Sequence, residues 1–240
     1  MADGQNKRFV CITGDKGGTG KSTFARALLD VYRQRGIPCL AYDSDRRNSQ
    51  LYRHYKNGVV QVDISTRGGA DALINDIEST DAQVVLLDLP AGAEESFEKF
   101  DSEIELIATA ANLGYRMTTV SVISRVRASV EALEALVNYC DRNVDYVVVK
   151  NLFFGDPNKF RRYDESETRR KVQERGGIEI NMPDIFDDTF DLIDEHNLTF
   201  REATTNKLLN LAHRMRVSVW LKKIEAEFNK AEWLLGLRRN

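Results

Sequence analysis

The chain has 240 residues, of which 42% are hydrophobic and 30% charged, and its formal net charge is -3. This length accommodates one large domain, and the composition is typical of a soluble globular protein. No apolar run approaches the roughly 20 residues of a membrane span, and the first residues lack the apolar segment of a signal peptide. The three cysteines form no Cys-x-x-Cys pair, which argues against a disulfide framework or a zinc site. A cytoplasmic location is therefore expected.

Basic residues are concentrated toward the end of the chain. Residues 201–240 contain nine basic and four acidic side chains, a local charge of +5, so the other 200 residues together carry -8. A basic segment on an acidic body can meet nucleic acid or an anionic membrane surface, although many such charge runs are simply solvated. The charge pattern alone leaves the partner open.

Short β-branched runs alternate with stretches of helical periodicity along the chain. This alternation is typical of an α/β protein with a mostly parallel, twisted sheet of about seven strands and helices on both faces. The predicted strands are residues 8–13, 38–43, 59–64, 83–89, 117–123, 145–151 and 178–182. No internal repeat or clear linker is apparent, so a single domain is predicted over residues 1–240.

Residues from about 205 to 240 are predicted to form a basic helical segment added to the sheet domain. Apolar residues in it suggest a stripe that packs against the sheet, and they are Leu208, Leu211, Met215, Val219, Ile224 and Phe228. The last eight residues, WLLGLRRN, place Trp233 and three leucines beside two arginines. Core packing explains such a cluster, and a short membrane-surface foot is the alternative.

Residues 11–23 read CITGDKGGTGKST and precede a helix predicted to begin at Ser22. They almost match the phosphate-binding loop, a glycine, four residues and Gly-Lys-Ser/Thr, but Asp15 stands where the first glycine is expected. Glycines let backbone N–H groups turn toward phosphate oxygens without a Cβ in the way. Lys21 can reach the β- and γ-phosphates, and the Ser22 hydroxyl can ligate Mg²⁺. The predicted nucleotide contacts are Asp15, Lys16, Gly17, Gly18, Thr19, Gly20, Lys21, Ser22 and Thr23.

The segment KGGTGKS, from Lys16 to Ser22, resembles the deviant Walker A motif of the ParA/MinD family of ATPases, Lys-Gly-Gly-x-Gly-Lys-Ser/Thr. The resemblance implies a P-loop NTPase fold and the binding of ATP with Mg²⁺. It also implies a homodimer with ATP sandwiched at the interface, in which Lys16 reaches the nucleotide of the other subunit. Lys16 and Lys21 are then expected to act in catalysis, and Asp15 fills a position that the family does not require as glycine.

Three aspartates lie at or near the carboxyl ends of predicted strands. Asp43 and Asp45, in AYDSDRRN, resemble the second motif of the family, although Arg46-Arg47 replaces its usual Pro-Gln. By this resemblance Asp43 is a candidate Mg²⁺ ligand and Asp45 a residue that orients the attacking water. The alternative is that the pair caps the following helix. Asp88, in VVLLDLPAG, resembles the Walker B aspartate and is expected to hold Mg²⁺ at the carboxyl edge of the sheet.

Base recognition is predicted at Asn151, which ends the sixth strand where members of the family carry an adenine-binding asparagine. An amide can both donate to and accept from adenine, and no Asn-Lys-x-Asp guanine motif follows, so ATP is favoured over GTP. A turn asparagine is the alternative. By resemblance, Pro183 and Asp184 flank the base.

The resemblance implies an ATP-dependent dimerisation switch with slow Mg²⁺-dependent ATP hydrolysis, acting in plasmid or chromosome partition or in plasmid maintenance. The ATP dimer is expected to bind DNA without sequence preference, which makes it nucleoid-associated, and a ParB-like or other DNA-bound adaptor is expected to stimulate hydrolysis. The candidate DNA contacts are Arg161, Arg162, Arg169, Arg170, Lys222 and Lys223. The alternatives are a MinD-type membrane-associating positioning ATPase, with WLLGLRRN as its foot, and a P-loop amide ligase or electron-donor relative.

Overall fold

A seven-stranded, all-parallel sheet organises the chain in the computed structural model, which describes residues 6–15 and 17–238. The strand order is β3-β2-β4-β1-β5-β6-β7. The strands are β1 (Arg8–Thr13), β2 (Cys39–Asp43), β3 (Val59–Gln61), β4 (Val84–Asp88), β5 (Arg116–Ile123), β6 (Asp145–Asn151) and β7 (Ile178–Met182). The predicted α/β fold and its seven strands are confirmed, and the limits of β1, β6 and β7 are as predicted.

Eleven α-helices and two short 3-10 helices connect the strands of the described chain. The α-helices are α1 (Lys21–Arg35), α2 (Gln50–His54), α3 (Asp71–Ser79), α4 (Glu94–Ile104), α5 (Leu106–Asn112), α6 (Arg127–Cys140), α7 (Arg161–Asp164), α8 (Glu167–Glu174), α9 (Asp187–Glu195), α10 (Phe200–Ala203) and α11 (Leu211–Lys230). The 3-10 helices are Leu152–Phe154 and Pro157–Lys159. None of these helices is long and apolar enough to cross a membrane.

Two apolar cores lie on opposite faces of the sheet. One holds side chains of α1, α2, α9, α10 and α11, including Phe24, Phe200 and Phe228. The other holds side chains of α3 to α8, including Phe97 and Tyr163. Because helices cover both faces, the central strands β1 and β4 are buried along their whole length.

The predicted stripe of α11 is wrong in its first half. The helix packs through Val217, Trp220, Leu221, Ile224 and Phe228. By contrast, Leu208, Leu211, Met215 and Val219 are 60%, 64%, 56% and 46% exposed. The physical reason is rotation, because the step of five residues from Val219 to Ile224 turns an α-helix by about 140°. The predicted stripe thus joined two rows on opposite sides of the helix.

The end of the described chain is a packed segment, which favours core packing over the alternative of a membrane-surface foot. Leu234, Leu235 and Leu237 are 8%, 0% and 3% exposed. Tyr32 donates from its hydroxyl to the Leu235 carbonyl at 2.6 Å, which fixes this segment to α1. The core-packing explanation is confirmed for the three leucines, since they lie in the same core as α1 and α11.

The basic residues predicted to contact DNA are divided between the two faces of the sheet. Arg169 on α8 binds both carboxylate oxygens of Glu179, and Arg170 pairs with Glu167. Lys222 and Lys223 lie exposed on α11, across the sheet from α8. The six predicted contacts therefore do not form one basic surface on a single face.

Candidate functional site

A cavity of about 650 Å³ opens at the carboxyl edge of the sheet, around the start of α1. Parallel strands bring the residues that follow them to this edge, which is where open α/β sheets bind ligands. Predicted site residues in its wall are Gly17, Gly18, Gly20, Lys21, Ser22, Thr23, Asp45, Asn151, Pro183 and Asp184. The structure thus brings together most of the residues that the sequence motifs selected.

The glycines of the loop have distinct geometries. Gly20 caps α1 with φ of 95°, a left-handed conformation that other residues rarely adopt. A Cβ at Gly20 would lie 2.6 Å from both Asn151 Nδ2 and Met182 Cε, so the position also lacks room for a side chain. At Gly17 and Gly18 a Cβ would meet nothing within 4 Å among the described atoms. The loop is therefore closed against β6 and β7 on one side and open to the cavity on the other.

The loop also contains lysine and hydroxyl side chains on either side of its glycines. Lys16 lies outside the described residues. Lys21 begins α1, is only 6% exposed and lines the cavity. Ser22 and Thr23 in the first turn of α1 also line the cavity. Thr19 is buried, and its carbonyl accepts a hydrogen bond from Asn151.

Asp88 lies at the centre of the carboxyl edge, fully buried and opposite Asp43 in the β2–β4 register. Neither of its oxygens accepts a hydrogen bond from the residues that the structure describes. Burial, and next the Asp43 carboxylate, raise the pKa of Asp88 to about 8, whereas Ser22 and Lys21 lower it. The Ser22 hydroxyl lies close enough to lower the pKa of Asp88, but it forms no hydrogen bond to either carboxylate oxygen. A buried carboxylate with two unused oxygens beside a serine hydroxyl fits a hard divalent cation such as Mg²⁺.

Asp43 contacts the first turn of α2, as the alternative prediction proposed, whereas Asp45 forms a turn just before that helix. Asp43 accepts hydrogen bonds from the backbone of Asp45 at 3.0 Å and of Tyr52 at 2.9 Å. Burial raises the pKa of Asp43 to about 6. Asp45 accepts from the backbone of Arg47 and Asn48 through one oxygen, Oδ1. Asp43 is thus engaged by the backbone through both oxygens, while Asp45 lines the cavity as well.

Asn151 likewise forms the turn contacts that were the alternative to base recognition. Its Oδ1 accepts from the Phe153 backbone at 3.0 Å, and its Nδ2 donates to the Thr19 carbonyl at 2.8 Å. The side chain therefore ties the end of β6 to the phosphate loop while it lines the cavity. Pro183 and Asp184 stand next to it after β7, and the Pro183 carbonyl accepts from Trp220 Nε1 at 2.7 Å.

The side chain of Asp15 turns away from the large cavity. Its Oδ1 accepts a hydrogen bond from the Ser129 hydroxyl of α6 at 2.9 Å. It lines a separate small cavity behind the loop. Its side chain therefore does not reach the space where the other loop residues converge.

Sequence motifs did not reveal the wall formed by α1, α2, α9 and α11. Arg26 on α1 is 1% exposed, and burial lowers its pKa to about 10. Its guanidinium lies 4.5 Å from the Phe200 ring and donates to the Leu198 carbonyl at 3.4 Å. Further residues in this wall are Asn48, Gln50, Asp187, Phe190, Asp191, Asp194 and Trp220. One signal was available for Arg26, which lies four residues after Ser22 and hence on the same helix face.

Comparisons with known proteins agree with this architecture. No protein-family model matches the chain. Protein MobD of Acidithiobacillus ferrooxidans is 30% identical over 218 residues, which cover 89% of this chain and 93% of MobD. The MinD cell division protein of Aquifex aeolicus has a TM-score of 0.54 and 13% identity over 92% of this chain and 97% of its own. A nucleotide-binding protein of Archaeoglobus fulgidus, solved in complex with ADP, has a TM-score of 0.51 and 15% identity over 80% of this chain and 87% of its own. The two structures share the fold.

Proposed function

The chain belongs to the family of MobD, among the MinD/ParA-type P-loop ATPases, and we propose that it is an ATP-dependent dimerisation switch with slow ATP hydrolysis. The observation that carries the proposal is Asp88, a fully buried carboxylate with both oxygens unused by the described residues, next to Lys21 and Ser22 at the phosphate loop. Burial of such a group is costly unless a cation or proton joins it. A nucleotide with its metal provides that cation.

The ligands that fit the cavity are ATP and Mg²⁺. Backbone N–H groups of Gly17, Gly18 and Gly20 would hold the phosphates, and Lys21 would balance their charge. Ser22 and Asp88 would hold Mg²⁺, which neutralises negative charge on the phosphates. The Archaeoglobus fulgidus protein of the same fold binds ADP, which supports a nucleotide in this position.

Hydrolysis is proposed to be slow in the monomer and faster in the dimer. Asp45 lines the cavity and keeps the assignment of orienting the attacking water, since only one of its carboxylate oxygens is engaged by the backbone of Arg47 and Asn48. The charge near the γ-phosphate would be completed by the partner subunit's Lys16. This trans role rests on the motif resemblance, because Lys16 lies outside the described residues.

Sizing the protein by light scattering with Mg²⁺ and either ADP or ATP tests the switch. We expect a monomer with ADP and a dimer with ATP for the wild type, and loss of the ATP dimer for Lys16→Ala. Lys56→Ala removes an exposed lysine before β3 and serves as the matched control. A wild-type protein that stays monomeric with ATP contradicts the switch. An ATP dimer that persists in Lys16→Ala contradicts only the trans role of that lysine.

The biological setting proposed is plasmid maintenance or partition, with non-specific DNA and a ParB-like or other DNA-bound adaptor as partners. Kinship with MobD supports a plasmid-related role. Of the six predicted DNA contacts, Arg161, Arg162, Lys222 and Lys223 are exposed, while Arg169 is held by Glu179. DNA binding through so few contacts would be weak and would fall steeply with salt.

A DNA-retention assay at low salt with ATP and Mg²⁺ tests this part of the proposal. We expect Lys222→Ala combined with Lys223→Ala to reduce retention, because each exposed lysine can neutralise one phosphate. Arg169→Ala is the control, since its guanidinium is already paired with Glu179. Absence of retention by the wild type at low salt contradicts DNA as the partner surface without affecting the ATP switch.

A further inference from the structure

Behind the phosphate loop lies a second, small cavity of about 10 Å³. It is bounded by the loop, by β5 and by α6, and the polar residues that face it include Thr13, Asp15, Ser121 and Ser129. Such a volume is about that of one water-sized probe, and a buried water is stable only where polar atoms surround it. The site is separate from the nucleotide cavity, because no residue lines both.

Asp15 is connected to α6 by a chain of hydrogen bonds. The Ser129 hydroxyl donates to Asp15 Oδ1 at 2.9 Å, and the same oxygen of Ser129 accepts from the Ser124 backbone N–H at 3.1 Å. Because the Ser129 proton is directed to the carboxylate, the Ser124 hydroxyl must donate in the contact of 2.9 Å between the two serines. The start of the loop is thereby tied to the junction of β5 and α6.

Two buried polar atoms remain at this small cavity without a partner in the described chain. They are Asp15 Oδ2 and the Ser121 hydroxyl oxygen. Both residues line the cavity, and Ser121 is only 3% exposed. An unsatisfied buried polar group is destabilising, so two of them around a water-sized space indicate an ordered water.

The backbone next to Asp15 is also held tightly against β5. A Cβ at Gly14 would lie 2.7 Å from the Val122 carbonyl, so the chain passes in contact with the strand at this point. In the β1–β5 register Thr13 pairs with Ser121. Thr13 is thus held by strand pairing and Gly14 by backbone contact with β5. Asp15 is the next residue, and its side chain contacts α6 through Ser129.

We propose that Asp15 is a positioning residue that anchors the phosphate loop to α6 through Ser129 and, through one buried water, to Ser121 of β5. The inference rests on the proposed nucleotide function and explains why an aspartate replaces the first glycine of the ordinary loop. A glycine there would leave the loop entrance free to move. The carboxylate fixes it before the nucleotide arrives, which reduces the conformational entropy lost on binding.

Titration calorimetry with ADP and Mg²⁺ on the full chain tests the anchor. Asp15→Ala should weaken ADP binding about tenfold, because the variant loses a hydrogen bond to a charged group and part of that loss reaches the binding step. Asp15→Asn keeps an acceptor for Ser129 and should stay within about threefold of the wild type. Asp156→Ala removes an exposed aspartate ahead of the second 3-10 helix and is the matched control.

A double-mutant cycle distinguishes an anchor from general damage. Ser129→Ala should weaken ADP binding as Asp15→Ala does, and the double variant should be no weaker than either, since both remove the same contact. Additive losses would overturn the proposal, and so would wild-type affinity in Asp15→Ala. If Asp15→Ala fails to fold, the comparison of Ser129→Ala with the wild type decides.

Hydrogen exchange on the nucleotide-free protein gives a readout that does not depend on nucleotide binding. The anchor predicts faster exchange of the amides of residues 17–20 in Asp15→Ala and in Ser129→Ala, with α8 unchanged. Unchanged exchange at residues 17–20 in both variants overturns it. A wild type that binds no ADP contradicts the proposed function instead, and the exchange result then still decides on the anchor.

Discussion

The phosphate-loop edge and the end of the described chain pack on the same sheet but differ in whether their buried polar atoms are hydrogen-bonded. At the loop edge, both oxygens of Asp88 and the Nε of Arg26 are buried without partners in the described chain. At the chain end, two successive carbonyls accept side-chain hydrogen bonds. The Thr118 hydroxyl donates to the Leu234 carbonyl, and the Tyr32 hydroxyl donates to the Leu235 carbonyl. Gln83 adds bonds to two further carbonyls there.

This difference distinguishes a binding site from a segment that only stabilises the fold. We call the second the clamp, meaning the packed chain end with Leu234, Leu235 and Leu237. Folding normally satisfies buried polar groups, so a cluster of unsatisfied ones persists only where a ligand, ion or water completes it. Among the described residues of the chain end, no buried polar side-chain atom lacks a partner, and the leucines are buried. We therefore expect substitutions at the chain end to change stability alone, and substitutions at the loop edge to change ligand binding as well as stability.

The largest expected effect concerns the clamp. Leu235→Ala should lower the free energy of unfolding by about 3 kcal/mol, because a fully buried leucine leaves a cavity when truncated. Leu211→Ala, at a position 64% exposed on α11, is the matched control and should change it by less than about 0.5 kcal/mol. Urea unfolding of both variants measures the difference. Equal losses would contradict the assignment of Leu211 to the exposed row.

Asp88→Asn should have opposite effects on stability and on binding. Because burial raises the pKa of Asp88 to about 8, above its value in the unfolded chain, its contribution to stability is greatest at low pH and is lost as the pH rises through about 8. Above that pH, removing the charge should stabilise the nucleotide-free protein by about 2 kcal/mol. The variant should also lose the Mg²⁺-dependent part of thermal stabilisation by nucleotide.

Thermal unfolding at pH 6 and pH 9, with and without ADP and Mg²⁺, measures both effects. Asp81→Asn, which changes an exposed aspartate paired with Lys7, is the control. Stabilisation by Asp88→Asn that is larger at pH 6 than at pH 9 would contradict the sign derived from burial. Retention of full Mg²⁺-dependent stabilisation in Asp88→Asn would remove Asp88 from the proposed metal site.

Gly20→Ala should affect both properties in the same direction. The new Cβ would lie 2.6 Å from Asn151 Nδ2, at a residue with φ of 95°, so strain of about 1–2 kcal/mol is expected. Nucleotide affinity should fall as well, since Asn151 holds the loop through the Thr19 carbonyl. Gly17→Ala meets no described atom and should leave the unfolding free energy unchanged. Equal stability of the two variants would contradict the tight contact at Gly20.

Sequence reasoning succeeded where topology determines position. A polar residue that directly follows a parallel strand must lie at the carboxyl edge, so the placement of Asp88 and Asn151 followed from the strand limits alone. It failed where the rotation of a helix about its axis, or the choice of a hydrogen-bond partner, determines which side chains are buried. In α11 the apolar residues occupy two opposite rows, and only one row packs on the core. The contacts of Asn151 with Thr19 and of Asp15 with Ser129 join segments more than 100 residues apart, and no local pattern encodes them.

The smallest expected effect lies at His54 of α2, beside the loop-edge residue Arg26. Its ring is buried against Arg26 of α1, Arg53 of α2 and Asp194 of α9, and its Nδ1 lies 2.8 Å from the Leu198 carbonyl. Burial first, and then the charge of Arg26, lower the pKa of His54 to about 4. The folded protein therefore favours the neutral form of the His54 ring.

Because the pKa of His54 is lower in the folded than in the unfolded chain, stability is present above about pH 6.5 and is lost as the pH falls toward 4. Between pH 6.5 and pH 5.5 we expect a loss of about 1 kcal/mol in the free energy of unfolding. His54→Gln should remove this slope, whereas His196→Gln, outside the cluster, should keep it. A slope that survives in His54→Gln would assign the acid sensitivity to other groups, and the junction between α1, α2 and α9 would then tolerate a charged His54.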